Sequence, residues 1–147
     1  MIKSKNVVAK KTKRVSHKIL VVEDDRVLLE TLSAKLRRLG YEVGEAADGI
    51  AAEASMRSRR PCLVFLDILL PRKSGFDFLE DIRGCENCKD VPVVVLSQFG
   101  EEEYLEKAKK FKVAKYMVKA NHSLAEVAKI AEDLLVGCKC ETCGKKA

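Results

Sequence analysis

The chain has 147 residues, 47% of them hydrophobic, and a formal net charge of +6. That length suits one domain around one core, and the ordinary apolar content argues against wholesale disorder. No apolar run approaches a membrane span, and no apolar stretch follows the basic start to make a secretory leader, so a cytoplasmic protein without membrane contact is expected.

The charge is lopsided. Residues 1–18 carry seven Lys/Arg and no acid, which leaves a net of −1 for the remainder. Residues 1–17 lack periodicity and read as a disordered basic arm, the one part of the chain suited to nucleic acid. From Lys18 onward short apolar runs alternate with helical patterns. KILVVE reads as a buried strand. Asp25 caps a helix with Leu28, Leu29, Leu32, Leu36 and Leu39 at helical spacing, and Gly40 stops it. YEVGEA is a second strand, and Asp48 caps a helix that runs to about Arg59. PCLVFLD is a third strand, apolar on both faces as a central parallel strand should be.

Residues 75–83 predict a short helix with Phe76, Leu79 and Ile82 inward. VPVVVLS is the fourth strand, 101–111 a helix, AKYMVK the fifth strand, and Ser123 caps a last helix to about Val136. Five strands alternating with five helices imply an α/β fold, a doubly wound parallel sheet with helices on both faces. The domain is expected over 18–136, followed by a Cys-rich tail over 137–147 too short for a second domain.

An unpaired charge is costly in an apolar setting, so Asp67 at the end of LVFLD calls for a partner or a place at the rim. In open α/β sheets, function collects beyond the carboxyl ends of the strands. There the first strand ends in Glu23-Asp24-Asp25, the third in Asp67, the fourth in Ser97 and the fifth in Lys119. Crowded carboxylates raise one another's pKa unless a cation intervenes. A hard divalent cation with oxygen ligands suits them, and Mg²⁺ commonly takes carboxylates, water and a phosphate. With Lys119 and Ser97 alongside, this is a site for a phosphoryl group. Either phosphate is a ligand there, or Asp67 is the nucleophile that becomes an aspartyl phosphate. No Gly-rich phosphate loop is present.

ILVVEDD, LVFLDILLP, VVVLS and YMVKA, in this order, resemble the receiver domain of two-component response regulators, over roughly residues 18–136. The resemblance implies a flavodoxin-like strand order of 2-1-3-4-5. It implies that Asp67 accepts a phosphoryl group from a histidine kinase or phosphotransfer protein. It further implies that Asp24 binds Mg²⁺ directly, Glu23 through water, and the backbone carbonyl of Leu69 completes the protein ligands. Ser97 would hydrogen-bond the phosphoryl group and Lys119 would pair with its oxygens. Tyr116 matches the aromatic that changes rotamer on activation, with output through the fourth helix, fifth strand and fifth helix to an effector protein. The chain reads as a stand-alone signalling module rather than an enzyme. A small phosphatase or hydrolase with an aspartyl nucleophile is the alternative.

Two positions depart from the family pattern. Ala120 follows Lys119 where proline is frequent; a cis bond there would cost about 2.5–4 kcal/mol, which favours trans. Gln98 is larger than the small residue usual after Ser97 and is expected to narrow access. Leu69 and Phe99 are expected to flank the site and shield the acyl phosphate from water.

Six cysteines without a secretory leader point to thiols or metal before disulfides. Cys62 reads as core. Cys85-Glu-Asn-Cys88 and Cys140-Glu-Thr-Cys143 are two C-x2-C half-sites. Cys85 and Cys88 fall at the sheet end opposite the phosphoryl site, where the last helix also returns. A Zn²⁺ clasp of Cys85, Cys88, Cys140 and Cys143 competes with plain reduced thiols as the reading.

Overall fold

The computed structural model describes residues 17–138. Five parallel strands form one sheet: β1 (Lys18–Val22), β2 (Glu42–Ala46), β3 (Leu63–Leu66), β4 (Val93–Ser97) and β5 (Lys115–Val118), in the order β2-β1-β3-β4-β5. Five helices connect or follow them: α1 (Arg26–Arg38), α2 (Gly49–Arg59), α3 (Gly75–Arg83), α4 (Glu102–Lys110) and α5 (Leu124–Leu135). The expected topology is therefore present.

Alternation along each strand divides the core in two. Ile19, Val21, Leu63, Phe65, Val94 and Leu96 pack with Leu29, Leu32 and Leu36 of α1 and with Val127, Ala131 and Leu135 of α5. Leu20, Val22, Val64, Leu66, Val93 and Val95 face the other way, against Met56 of α2, Phe78 and Leu79 of α3 and Ala108 of α4. β3 and β4 are buried throughout, as an apolar run on both faces requires.

The helix starts follow the capping expectations. The Asp25 carboxylate accepts from the N–H groups of Val27 and Leu28, and Asp48 accepts from Ala51 N–H. Ser123 and Glu126 form a reciprocal capping box. The cap of α3 is Ser74, which the sequence reading did not single out. Gly40, beyond α1, has φ +103°, a conformation few side chains tolerate.

Parallel connections place every strand's carboxyl end on one edge. Register pairs Val22 with both Ala46 and Leu66, and Ser97 with Val118. Glu23 and Asp67 thus leave neighbouring strands at the same height, and Lys119 leaves β5 two residues further along, on the same edge. Gly75 adds a local constraint: a Cβ there would lie 2.6 Å from the Asp67 carbonyl oxygen. Only glycine allows the start of α3 to approach the backbone of the Asp67 loop so closely. Residues 1–16 and 139–147 lie outside the described residues, and with them most of the expected arm and tail.

Candidate functional site

A cleft of about 410 Å³ opens at the carboxyl edge, walled by Glu23, Asp24, Asp67, Leu69, Gln98 and Lys119 among others. Glu23 continues the β1 ladder, its N–H donating to Ala46 C=O at 2.9 Å, and Asp67 does the same from β3 to Val22 C=O at 3.0 Å. Backbone pairing thereby fixes both carboxylates on neighbouring strand ends. Both are almost fully buried, Glu23 at 2% exposure and Asp67 at 5%, while Asp24 is open to solvent. One carboxylate oxygen from each of the three lies within 4.8 Å of the others.

Lys119 is the counter-charge. Its Nζ lies 2.9 Å from Glu23 Oε1 and 3.1 Å from Asp67 Oδ2. The remaining oxygens are also engaged: Asp25 N–H donates to Glu23 Oε2 at 3.1 Å, and Leu69 N–H donates to Asp67 Oδ1 at 3.1 Å. Burial, then the nearby Asp67 charge, pushes the Glu23 pKa up to about 7 against the pull of Lys119 and Asp25 N–H. Burial opposes the charge on Lys119, but the hydrogen bond it donates to Glu23 and the Asp67 charge outweigh it and raise its pKa.

With all four side chains ionised, the three acids and Lys119 carry a net charge of −2. A compact set of hard oxygens with that excess charge fits a hard divalent cation such as Mg²⁺. Both Glu23 oxygens have protein partners, whereas Asp24 is exposed.

Ser97 lies at the end of β4, fully buried, and its Oγ accepts from Phe99 N–H at 3.0 Å. Tyr116 on β5 is half-buried and donates its hydroxyl to the Phe99 carbonyl at 2.6 Å. The 97–99 turn thus connects Ser97 to Tyr116. The Phe99 ring stacks on Tyr104, centroids 4.8 Å apart, and is not part of the cleft wall; the expected apolar shield falls to Leu69. Gln98 does line the cleft. Among the described residues no peptide bond is cis, so the one between Lys119 and Ala120 is trans; a short 3-10 turn over Lys119–Asn121 follows β5, and Lys119 still reaches both carboxylates.

Comparisons with known proteins identify the family. A family model described as "Response regulator receiver domain" matches residues 19–131. The chain belongs to that family. Among curated proteins, this receiver domain is 34% identical over 106 residues to the transcriptional regulatory protein PdtaR of Mycobacterium tuberculosis, covering 71% of this chain and 50% of that one. It is also 34% identical over 84 residues to the master transcriptional regulator RpaA of Synechocystis, covering 57% and 35%. The receiver chain thus spans half the length, or less, of these relatives. Among solved structures, chemotaxis protein CheY4 of Vibrio cholerae superposes with a TM-score of 0.76 at 27% identity, over 82% of this chain and 99% of that one. The Mn²⁺-bound response regulator Rcp1 gives 0.68 at 28% identity, over 86% and 96%.

Of the expected clasp, Cys85 and Cys88 are among the described residues. Cys88 packs on the α2–α3–α4 side of the sheet, whereas Cys138, just past α5, packs on the α1–α5 side. Cys140 and Cys143 lie outside the described residues. Cys85 and Cys88 contact each other instead: the hydrogen bond from Cys88 lowers the Cys85 pKa, while burial and then that contact push Cys88 up to about 12. Among the described residues no helix is long and apolar enough to cross a membrane.

Proposed function

We propose that this receiver domain accepts a phosphoryl group on Asp67 from the phosphohistidine of a kinase or phosphotransfer protein. The reading rests above all on Lys119 held at 3.1 Å from Asp67, with the Glu23 and Asp24 carboxylates gathered beside it. In the transfer, a carboxylate oxygen of Asp67 attacks phosphorus. The new O–P bond forms as the N–P bond breaks, and the nitrogen keeps its electron pair and takes a proton from water. Glu23 through water, Asp24, Asp67 and the Leu69 carbonyl are the groups that would hold Mg²⁺, which would supply positive charge against the charge developing on the phosphoryl oxygens.

The chain's own residues do the positioning. Leu69 N–H orients Asp67 through one oxygen, and the Lys119 ammonium is already placed to pair with the incoming phosphoryl group. Ser97 exchanges its bond from Phe99 N–H for one donated to a phosphoryl oxygen. Movement of the 97–99 turn then acts on Tyr116, whose hydroxyl is anchored to that turn. The outcome is a two-state shift of the α4–β5–α5 surface that sets affinity for an effector protein.

The test is incubation with acetyl phosphate and Mg²⁺, followed by intact mass measurement. The expected result is one phosphoryl adduct, lost with chelator and absent from Asp67→Asn. Full labelling of that variant rejects Asp67 as acceptor, and steady turnover of phosphate esters without an adduct indicates a hydrolase instead.

A further inference from the structure

A second cluster of ligand-type side chains lies at the opposite edge of the sheet. His17 immediately precedes β1, Cys62 immediately precedes β3, and Cys138 follows α5. β1 and β3 are neighbours, and Cys62 N–H donates to the Lys18 carbonyl at 2.7 Å, which sets His17 and Cys62 side by side. α5 packs on the same face through Val127, Ala131 and Leu135 and leads Cys138 to that edge, where its N–H donates to Leu135 C=O at 3.1 Å. One ligand atom from each residue, an imidazole nitrogen and two thiol sulfurs, lies within 4.8 Å of the other two.

From this we propose that His17, Cys62 and Cys138 hold a Zn²⁺ ion, the fourth position being open to a further ligand. The donor set decides the metal. Two thiolates and an imidazole suit tetrahedral Zn²⁺, and do not suit Mg²⁺ or Ca²⁺. Tetrahedral Zn–S and Zn–N bonds place ligand atoms roughly 3.5–3.8 Å apart. Residues already within 4.8 Å need close in by only about 1 Å.

Placement supports the assignment. Cys62 is 3% exposed in the α1–α5 core, and His17 and Cys138 are half-buried, so a bound ion would be shielded from water on the core side. The ion would tie the root of the basic arm and the end of α5 to the sheet, at the edge away from Asp67. Zinc at Cys85 and Cys88 is not required.

The test uses the full chain, reduced and stripped of metal, titrated with Co²⁺ and then with Zn²⁺. The expected result is one equivalent of Co²⁺ giving thiolate charge-transfer absorption and tetrahedral d–d bands, displaced by one equivalent of Zn²⁺. Cys62→Ser risks unfolding a buried position, so Cys138→Ser and His17→Gln carry the decision. Each should weaken binding by roughly 100-fold or more, since losing a residue that merely orients a ligand costs about 10–100-fold. Cys85→Ser with Cys88→Ser should leave the titration unchanged. No thiolate–cobalt absorption, undiminished binding in either ligand variant, loss of binding in the Cys85/Cys88 variant, or a Cys62–Cys138 disulfide in place of metal would each overturn the assignment.

Discussion

The Glu23 carboxyl is expected to tie stability to pH and to Mg²⁺, with a sign opposite to the usual carboxylate. Its pKa is raised from an ordinary 4.5 to about 7 by burial and by Asp67. The folded chain therefore holds this proton more tightly than the unfolded chain. Stability contributed by the protonated form is complete below pH 4.5 and is lost as pH rises towards 7. A rise of that size corresponds to roughly 3 kcal/mol. In chelator, urea melts should show stability falling between pH 5 and 7.5. Glu23→Gln, which carries no titrating charge, should lack that fall, so the difference between the two proteins isolates it from all other groups. Saturating Mg²⁺ should restore the wild type at neutral pH, and its affinity should rise about tenfold per pH unit up to about 7, because binding displaces the Glu23 proton. A wild-type minus Glu23→Gln difference that stays constant across this range would refute the reasoning.

Other outcomes follow from the same geometry. Leu69→Asn should shorten the life of the phosphorylated form by admitting water to the cleft; a longer life, read by intact mass over time, rejects the shielding role. Beryllofluoride with Mg²⁺ should shift NMR signals at Ser97, Phe99 and Tyr116 together, and signals that stay in place would disconnect that turn from the switch. Arg83 donates to the carbonyls of Lys89, Val91, Phe111 and Lys112, joining α3 to the loops before β4 and β5. Arg83→Ala should therefore cost roughly 3 kcal/mol in denaturant melts, and Arg83→Lys should recover little of it, since an ammonium lacks the planar fork. Gly75→Ala should reduce both stability and phosphoryl labelling, because its Cβ would meet the Asp67 carbonyl at 2.6 Å.

The order of elements, the apolar runs of β3 and β4 and the caps at Asp25, Asp48 and Ser123 were all legible in the linear chain. Each expresses a local rule: side-chain periodicity, or a short polar residue satisfying the first N–H groups of a helix. Glu23, Asp24, Asp67, Ser97 and Lys119 were legible for a related reason, because every apolar run ends in a polar residue and parallel strands share one functional edge. What no linear pattern decides is which side of the sheet a distant element occupies. Cys138 is an instance: α5 packs on the α1 side and brings it to Cys62 and His17, residues remote in the chain. Phe99, two residues after Ser97, turns to Tyr104 rather than to the cleft. The raised pKa of Glu23 is likewise tertiary, since it depends on how deeply the fold buries the carboxyl and how near it sets Asp67 and Lys119. Local chemistry is written along the chain, whereas proximity between remote residues arises only when the layers pack.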